Sequence, residues 1–317
     1  MQHVPLGPLS VSRVGLGCNN FGGRLGFERT QAVVDAALDA GIDFLDTADI
    51  YGQRSGPAVY GNEGGSERFL GRLLRGRRDR VVLATKFGHD MGDGVEPRGS
   101  PSYVRAALDA SLERLETDRV DLLYYHWPDG VTPISDTVAA MAELVQEGKA
   151  RAIGVSNVSR EQLDEAARAA EITAVQNEYS LLARGAERDV LPRCRELGIG
   201  FVPYYPLAAG LLTGKYLREE PPPEGTRWAG SDALDDDRVT PLVATGQATF
   251  DTIARLEAFA RERGRTLLEL AIAGVAAQAR VASVIVGATS AEQVRANAAA
   301  GDWELTADEL VALRSLA

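Results

Sequence analysis

The chain has 317 residues, 45% of them hydrophobic and 25% charged, with a formal net charge of −11. That is ordinary globular composition, and the length suits one α/β barrel with insertions. The acidic balance argues against a nucleic-acid or anionic-membrane surface, and no run of about 18 apolar residues is present to span a bilayer.

Val4 to Val14 holds short apolar positions broken by Gly7, Pro8 and Ser10 and predicts a small hairpin ahead of the main fold. Val14 to Gly17 reads as the first strand of a larger sheet. A Gly-rich loop, Asn19 to Gly26, follows it; without a GxGxxG pattern or a Walker lysine it is neither a Rossmann nor a P-loop site. Glu28 to Ala40 has helical spacing and stops at Gly41. The apolar run Ile42 to Leu45 then leads into Asp46, with Tyr51 five residues on in a loop. Ser66 opens the next helix, and Val81 to Lys86 is the third strand. After a polar loop, Gly88 to Ser100, come a helix over Tyr103 to Glu116 and a fourth strand, Val120 to His126.

The alternation continues. Helix Thr137 to Gln146 precedes strand Arg151 to Val155, which ends in Ser156-Asn157. Ser159 and Gln162 form a capping-box pattern for the next helix. Strand Ile172 to Val175 leads to Gln176, a helix runs around Arg188 to Leu197, and strand Ile199 to Val202 ends in Pro203-Tyr204-Tyr205-Pro206. Leu207 to Ala244 interrupts the rhythm and reads as a long loop with little regular structure. Helices Thr249 to Arg263 and Leu267 to Gln278, a last strand Ala282 to Val286, a helix Ala291 to Ala299 and a terminal helix capped by Thr306 complete the chain. Eight strands separated by helices predict a single (β/α)8 barrel over residues 1–317, with an N-terminal hairpin and extra helices after strand seven and at the C-terminus.

In such a barrel the carboxyl ends of the strands face the active site. Asp46, Lys86 and His126 close three successive strands, and Tyr51 lies on the loop after the first of them. Each has an ordinary explanation alone: a turn cap, a solvated charge, a structural histidine, a surface tyrosine. Together they place a carboxylate, an ammonium, an imidazole and a phenol at one rim. Cys18 and Cys194 form no CxxC or Cys/His cluster, so no metal site is expected. They fit a reduced, cytoplasmic setting. Met1 to Pro5 shows no basic region followed by an apolar stretch, so no signal peptide is expected.

Several separated motifs resemble the aldo-keto reductase family across nearly the whole chain. They are Asp46-Thr47-Ala48-x-x-Tyr51-Gly52, Lys86, His126-Trp127-Pro128 and Ile153-Gly154-Val155-Ser156-Asn157. The segment Leu207 to Tyr216 is similar to the bacterial branch that includes the potassium-channel β subunits and general-stress reductases. The resemblance implies an NADP(H)-dependent carbonyl reductase or alcohol dehydrogenase, with NAD(H) left open. It implies Tyr51 as general acid, Lys86 lowering the phenol pKa, Asp46 orienting the lysine, and His126 bonding the substrate carbonyl. Ser156, Asn157 and Gln176 match contacts to the nicotinamide carboxamide, and Tyr204 matches the aromatic that stacks on its ring. Leu207, Gly210 and Lys215 match the loop over the pyrophosphate; Gly287, Thr289, Gln293 and Asn297 match the adenosine end.

The chain departs from the vertebrate relatives in carrying Gly287 and Gln293 where they have Lys and Arg for the 2′-phosphate. The helix N-terminus after Ser290, with Arg295 nearby, is expected to supply donors instead. The long C-terminal tail that closes the vertebrate substrate pocket has no counterpart. The walls are expected from Gly52 to Gly65, Gly88 to Ser100 and Leu217 to Ala244, with Trp127 and Tyr205 as flat substrate-binding faces. Such a pocket suits a small-molecule sugar-like or aryl carbonyl. Two alternatives stay open: a slow-turnover cofactor-binding sensor or scaffold subunit, and a barrel isomerase or aldolase using Lys86 as a Schiff base.

Overall fold

The computed structural model describes residues 1–52, 64–91, 94–95, 97–216, 218, 220, 222–224 and 247–316. Two antiparallel strands, β1 (His3–Leu6) and β2 (Leu9–Ser12), form the expected hairpin. Eight parallel strands follow. They are β3 (Val14–Gly17), β4 (Phe44–Asp46), β5 (Val82–Phe87), β6 (Val120–Tyr125), β7 (Ala150–Ser156), β8 (Ala174–Gln176), β9 (Gly200–Phe201) and β10 (Val284–Gly287). Their order is sequential, with β10 pairing β3. The ring closes between β9 and the run into β10: Phe201 N–H donates to Arg280 O at 2.7 Å, and Ala282 N–H donates to Phe201 O at 2.9 Å.

Between strands lie α1 (Phe27–Asp39), α2 (Gly65–Leu73), α3 (Pro101–Leu115), α4 (Ile134–Gln146), α5 (Arg160–Ala169) and α6 (Val190–Leu197). After β9 come α7 (Gln247–Arg261) and α8 (Leu267–Ala276); α9 (Ala291–Ala300) and α10 (Ala307–Arg314) follow β10. The Ser159/Gln162 capping box is formed, as are boxes at Thr266/Glu269 and Thr306/Glu309, each satisfying two end N–H groups. Helix α3 starts two residues before the expected Tyr103, because Ser100 caps it and Pro101 sits in its first turn. The long loop expected from Leu207 is corrected at its start, where Ala208–Thr213 forms 3-10 turns. Most of its remainder, including the acidic run Asp235 to Asp237, lies outside the described residues.

The barrel interior is filled, not hollow. Phe44, Leu122, Tyr124, Ala152, Ala174 and Ile285 pack inside with Leu6, Leu9 and Val11 of the hairpin. Large side chains face glycines: a Cβ on Gly154 would lie 2.5 Å from the Tyr124 ring. The hairpin lies across the strand starts. Ser12 Oγ accepts from the N–H groups of Asp43 and Phe44 at the entry to β4, and Leu6 packs on Gly200, the first residue of β9. One end of the barrel is therefore plugged by apolar side chains, each worth roughly 1.5–3 kcal/mol when fully buried. The opposite end, where the strands finish, carries the polar groups.

Candidate active site

Asp46 is the last residue of β4, Lys86 the penultimate residue of β5, and His126 follows β6 directly. The side chain of Lys86 is completely buried. Its Nζ makes a short ion pair with Asp46 Oδ1, donates to Thr47 O at 2.8 Å and reaches the Tyr51 hydroxyl at 3.5 Å. The second Asp46 oxygen accepts from Gln176 Nε2 at 2.9 Å. Both carboxylate oxygens are thus held, which fixes the ammonium beneath the phenol. The Tyr51 loop is tied to β5 by Thr47 N–H donating to Ala84 O and Asp49 N–H donating to Lys86 O, at 2.9 and 3.0 Å. His126 N–H donates to Phe87 O at 2.7 Å, and its ring lies edge-to-face with Tyr51, centroids 5.9 Å apart.

The electrostatics correct one expectation. Burial pushes the Tyr51 phenol above its ordinary pKa; Lys86 pulls it down but does not prevail. Asp46 neutralises much of the lysine's field, while desolvation penalises the phenolate directly. For Lys86, burial pulls the pKa down, but Asp46 and Tyr51 outweigh it and the direction is up. Lys86 is therefore an ammonium at working pH. A buried, permanently charged lysine is not the neutral amine that Schiff-base chemistry needs.

A cleft of about 760 Å³ opens above this group. It is lined by Asp46, Tyr51, His126 and Trp127 and by Gly287, Thr289, Gln293 and Asn297. Ser156, Asn157, Gln176, Tyr204, Tyr205, Leu207, Gly210 and Lys215 line it as well, so the residues singled out by sequence converge on one cavity, with Lys86 buried beside it. Their polar atoms are partly committed within the protein. Ser156 Oγ donates to Gln176 O at 2.6 Å. Asn157, in the left-handed region at φ 57°, gives its amide to His126 O at 2.9 Å and accepts from the Tyr204 hydroxyl at 2.7 Å. Asn157 so links His126 to Tyr204.

Sequence reasoning missed part of the wall. Asn19, Asn20, Arg24 and Arg29, from the β3–α1 loop and α1, also line the cleft. Arg29 Nη2 donates to Thr289 O at 3.2 Å, bringing a guanidinium to the segment where Arg295 was expected. Arg295 points out to solvent and is not part of the lining. The missed signal was position: the Asn19 to Gly26 loop leaves the carboxyl end of a barrel strand and carries basic groups in an acidic chain. Gln293 does more capping than expected. Its Oε1 accepts from Thr289 N–H at 2.8 Å and from Thr289 Oγ1 at 3.1 Å, and Ser290 Oγ caps Gln293 N–H. His89, three residues after Lys86, also lines the cleft, 5.5 Å from the His126 ring. Of the expected substrate walls, Gly88 to Ser100 contributes His89. Residues 53–63 and most of 217–244 lie outside the described residues.

Among the described residues, no helix is long and apolar enough to cross a membrane. Residues 13–317 match the aldo/keto reductase family. The chain is similar to an aldo-keto reductase from Bacillus halodurans in its holo form, AKR11C1, at 32% identity and TM-score 0.78, covering 100% of this chain and 95% of that one. It is also similar to the glycerol dehydrogenase AKR11B4 from Gluconobacter oxydans, at 29% identity and TM-score 0.80, covering 99% and 93%. Proteins of this family bind nicotinamide cofactors, and a cleft of this size, lined by aromatic faces, amides and basic side chains, suits such a ligand. The match runs from β3 through the last helix, and the chain belongs to the aldo/keto reductase family, as an oxidoreductase acting on carbonyl compounds.

Proposed function

We propose that the chain interconverts an aldehyde or ketone with its alcohol using NADP(H), with Tyr51 as general acid in reduction and general base in oxidation. The observation that carries this reading is the Tyr51 hydroxyl 3.5 Å from a fully buried Lys86 ammonium, in a cleft that also presents His126. When bound, the nicotinamide supplies or takes up hydride at the carbonyl carbon. Tyr204 would flank its ring, with Ser156, Asn157 and Gln176 at its carboxamide. Leu207, Gly210 and Lys215 would hold the pyrophosphate, and Gly287, Thr289, Gln293 and Asn297 the adenosine end.

The raised phenol pKa keeps Tyr51 protonated, ready to donate. An oxygen turning from carbonyl to alkoxide is far more basic than a phenolate, so the proton moves toward it. Lys86 stabilises the phenolate as it forms, and Asp46 keeps that ammonium in place. His126 orients the carbonyl oxygen toward Tyr51. Arg29 supports NADP over NAD, because the 2′-phosphate is an anion and the Thr289 segment that would receive it carries this guanidinium, with Arg24 also in the lining.

For the substrate, His89, His126, Trp127 and Tyr205 offer polar edges and flat aromatic faces, which suit a sugar-like or aryl carbonyl. The neighbouring glycerol dehydrogenase supports a hydroxylated substrate. The test is kcat/KM for a panel of hydroxyaldehydes, aryl aldehydes, steroids and long-chain aldehydes with NADPH and NADH. Steroids or long-chain aldehydes far ahead of the rest would overturn the substrate class, and NADH preference would overturn the cofactor.

A further inference from the structure

A buried acid cluster lies behind the loop that carries Tyr51. Glu67, in the first turn of α2, is fully buried. Its Oε1 accepts from Thr85 Oγ1 at 2.5 Å and its Oε2 from Arg114 Nε at 2.6 Å. Thr85 immediately precedes Lys86 on β5. Ser66, the residue before Glu67, donates its N–H to Tyr51 O at 3.1 Å. The Ser66 hydroxyl accepts from Thr47 Oγ1 at 2.8 Å and donates to Cys18 O at 2.9 Å. One dipeptide therefore grips both the strand of Lys86 and the loop of Tyr51. Neither Ser66 nor Glu67 lines the cleft, so neither touches substrate or cofactor.

Asp49 sits in the middle of that loop, 3% exposed, and among the described residues its Oδ1 has no hydrogen-bond partner. A buried carboxyl in that state favours the neutral acid. Burial, then Glu67, push its pKa up to about 8, against the pull of Arg114, the Ile50 N–H and Arg98. The charged groups facing it among the described residues are Glu67 from α2, Arg114 from α3 and Arg98 from the loop before α3. From β5 it meets the Lys86 carbonyl through its own N–H.

We propose that Glu67 is a positioning residue for the Tyr51–Lys86 pair, and that it holds the pair only while Asp49 is protonated; the inference rests on the role given to Tyr51 above. Ionised Asp49 sets a second carboxylate against Glu67, whose own oxygens are already taken by Thr85 and Arg114. Relief comes by moving the 47–52 loop, and that carries the Tyr51 hydroxyl away from the ammonium.

The test is kcat at saturating cofactor from about pH 6 to about pH 10, together with cofactor Kd and Tm, in wild type, Asp49→Asn, Thr85→Val and Tyr51→Phe. Wild type should lose kcat on the alkaline side with an apparent pKa near 8. Asp49→Asn copies the shape of the neutral acid and should keep kcat flat through that limb. Thr85→Val removes only the hydroxyl bond to Glu67, keeps the Glu67–Arg114 pair, and should lower kcat roughly 10- to 100-fold with cofactor Kd unchanged. Stability gives a second readout. The folded pKa of Asp49 lies above its unfolded value, so its stabilising effect is present at low pH and fades as pH rises from about 4 to about 8. The Tm advantage of Asp49→Asn over wild type should widen across that window. An unmoved alkaline limb in Asp49→Asn, or wild-type kcat in Thr85→Val, overturns the inference while an inactive Tyr51→Phe leaves the reading of Tyr51 standing. Retained turnover in Tyr51→Phe removes both.

Discussion

Replacing Arg29 with methionine keeps the helix propensity and length of the side chain but removes its charge. In a water-like dielectric a guanidinium about 4 Å from a phosphate gains roughly 1 kcal/mol per unit charge. The 2′-phosphate of NADP carries close to two negative charges, which sets an upper figure of about 2 kcal/mol. Arg29 is exposed, so salt trims this to about 1–2 kcal/mol, or roughly 5- to 30-fold in Kd. NADH lacks the phosphate and should bind the variant nearly as well as wild type. Trp127 lies in the cleft, so quenching of protein fluorescence can follow both titrations at equilibrium. The selectivity lost in Arg29→Met should be larger at low salt than at high salt. Equal loss of NADPH and NADH would mean that Arg29 acts only by supporting Thr289 O, which it also contacts, and would refute the assignment. The converse variant, Gln293→Arg, adds a cation but removes the acceptor for Thr289 N–H and Oγ1. It should widen the NADPH preference while lowering Tm slightly, since a lost cap costs about 1 kcal/mol.

Tyr51→Phe should lower kcat by roughly 10²–10⁴-fold with cofactor Kd nearly unchanged, read by stopped-flow reduction and fluorescence titration. Lys86→Met should be comparably damaging to kcat. It also leaves Asp46 buried without its cation, a loss of about 3–5 kcal/mol that denaturant unfolding would reveal. Gly154→Ala puts a Cβ 2.5 Å from the Tyr124 ring and should destabilise the barrel by about 1–3 kcal/mol; an unchanged urea midpoint would refute that packing. Asp129 accepts from Gly99, Val131 and Thr132 N–H groups and from Thr132 Oγ1. Burial alone would raise its pKa, but these bonds outweigh it and the direction is down. Its contribution is therefore present above the ordinary Asp value and fades on acidification below about pH 4. The Tm difference between wild type and Asp129→Ala should shrink over the same range.

Much of the architecture was legible because it is written in short-range pattern. Apolar runs of strand length, helical spacing and stops such as Gly41 and Gly198, both at positive φ, recur with a period that only a βα alternation satisfies. The barrel then explains why Asp46, Lys86 and His126 matter, since strand ends gather at one rim whatever the sequence distance between them. What the one-dimensional chain could not carry was which side chains meet after closure. Gln176 bonds Asp46 across 130 residues because β8 and β4 stand opposite each other around the ring, and Arg29 reaches Thr289 across 260 because β3 lies beside β10. Arg295, close in sequence to the segment expected to hold adenosine, faces solvent, since helical geometry sends neighbouring residues to different faces. The phenol's pKa was also a tertiary matter. An adjacent ammonium predicts a downward shift, but desolvation and the Asp46 countercharge exist only once the barrel has buried all three groups, and together they reverse its direction.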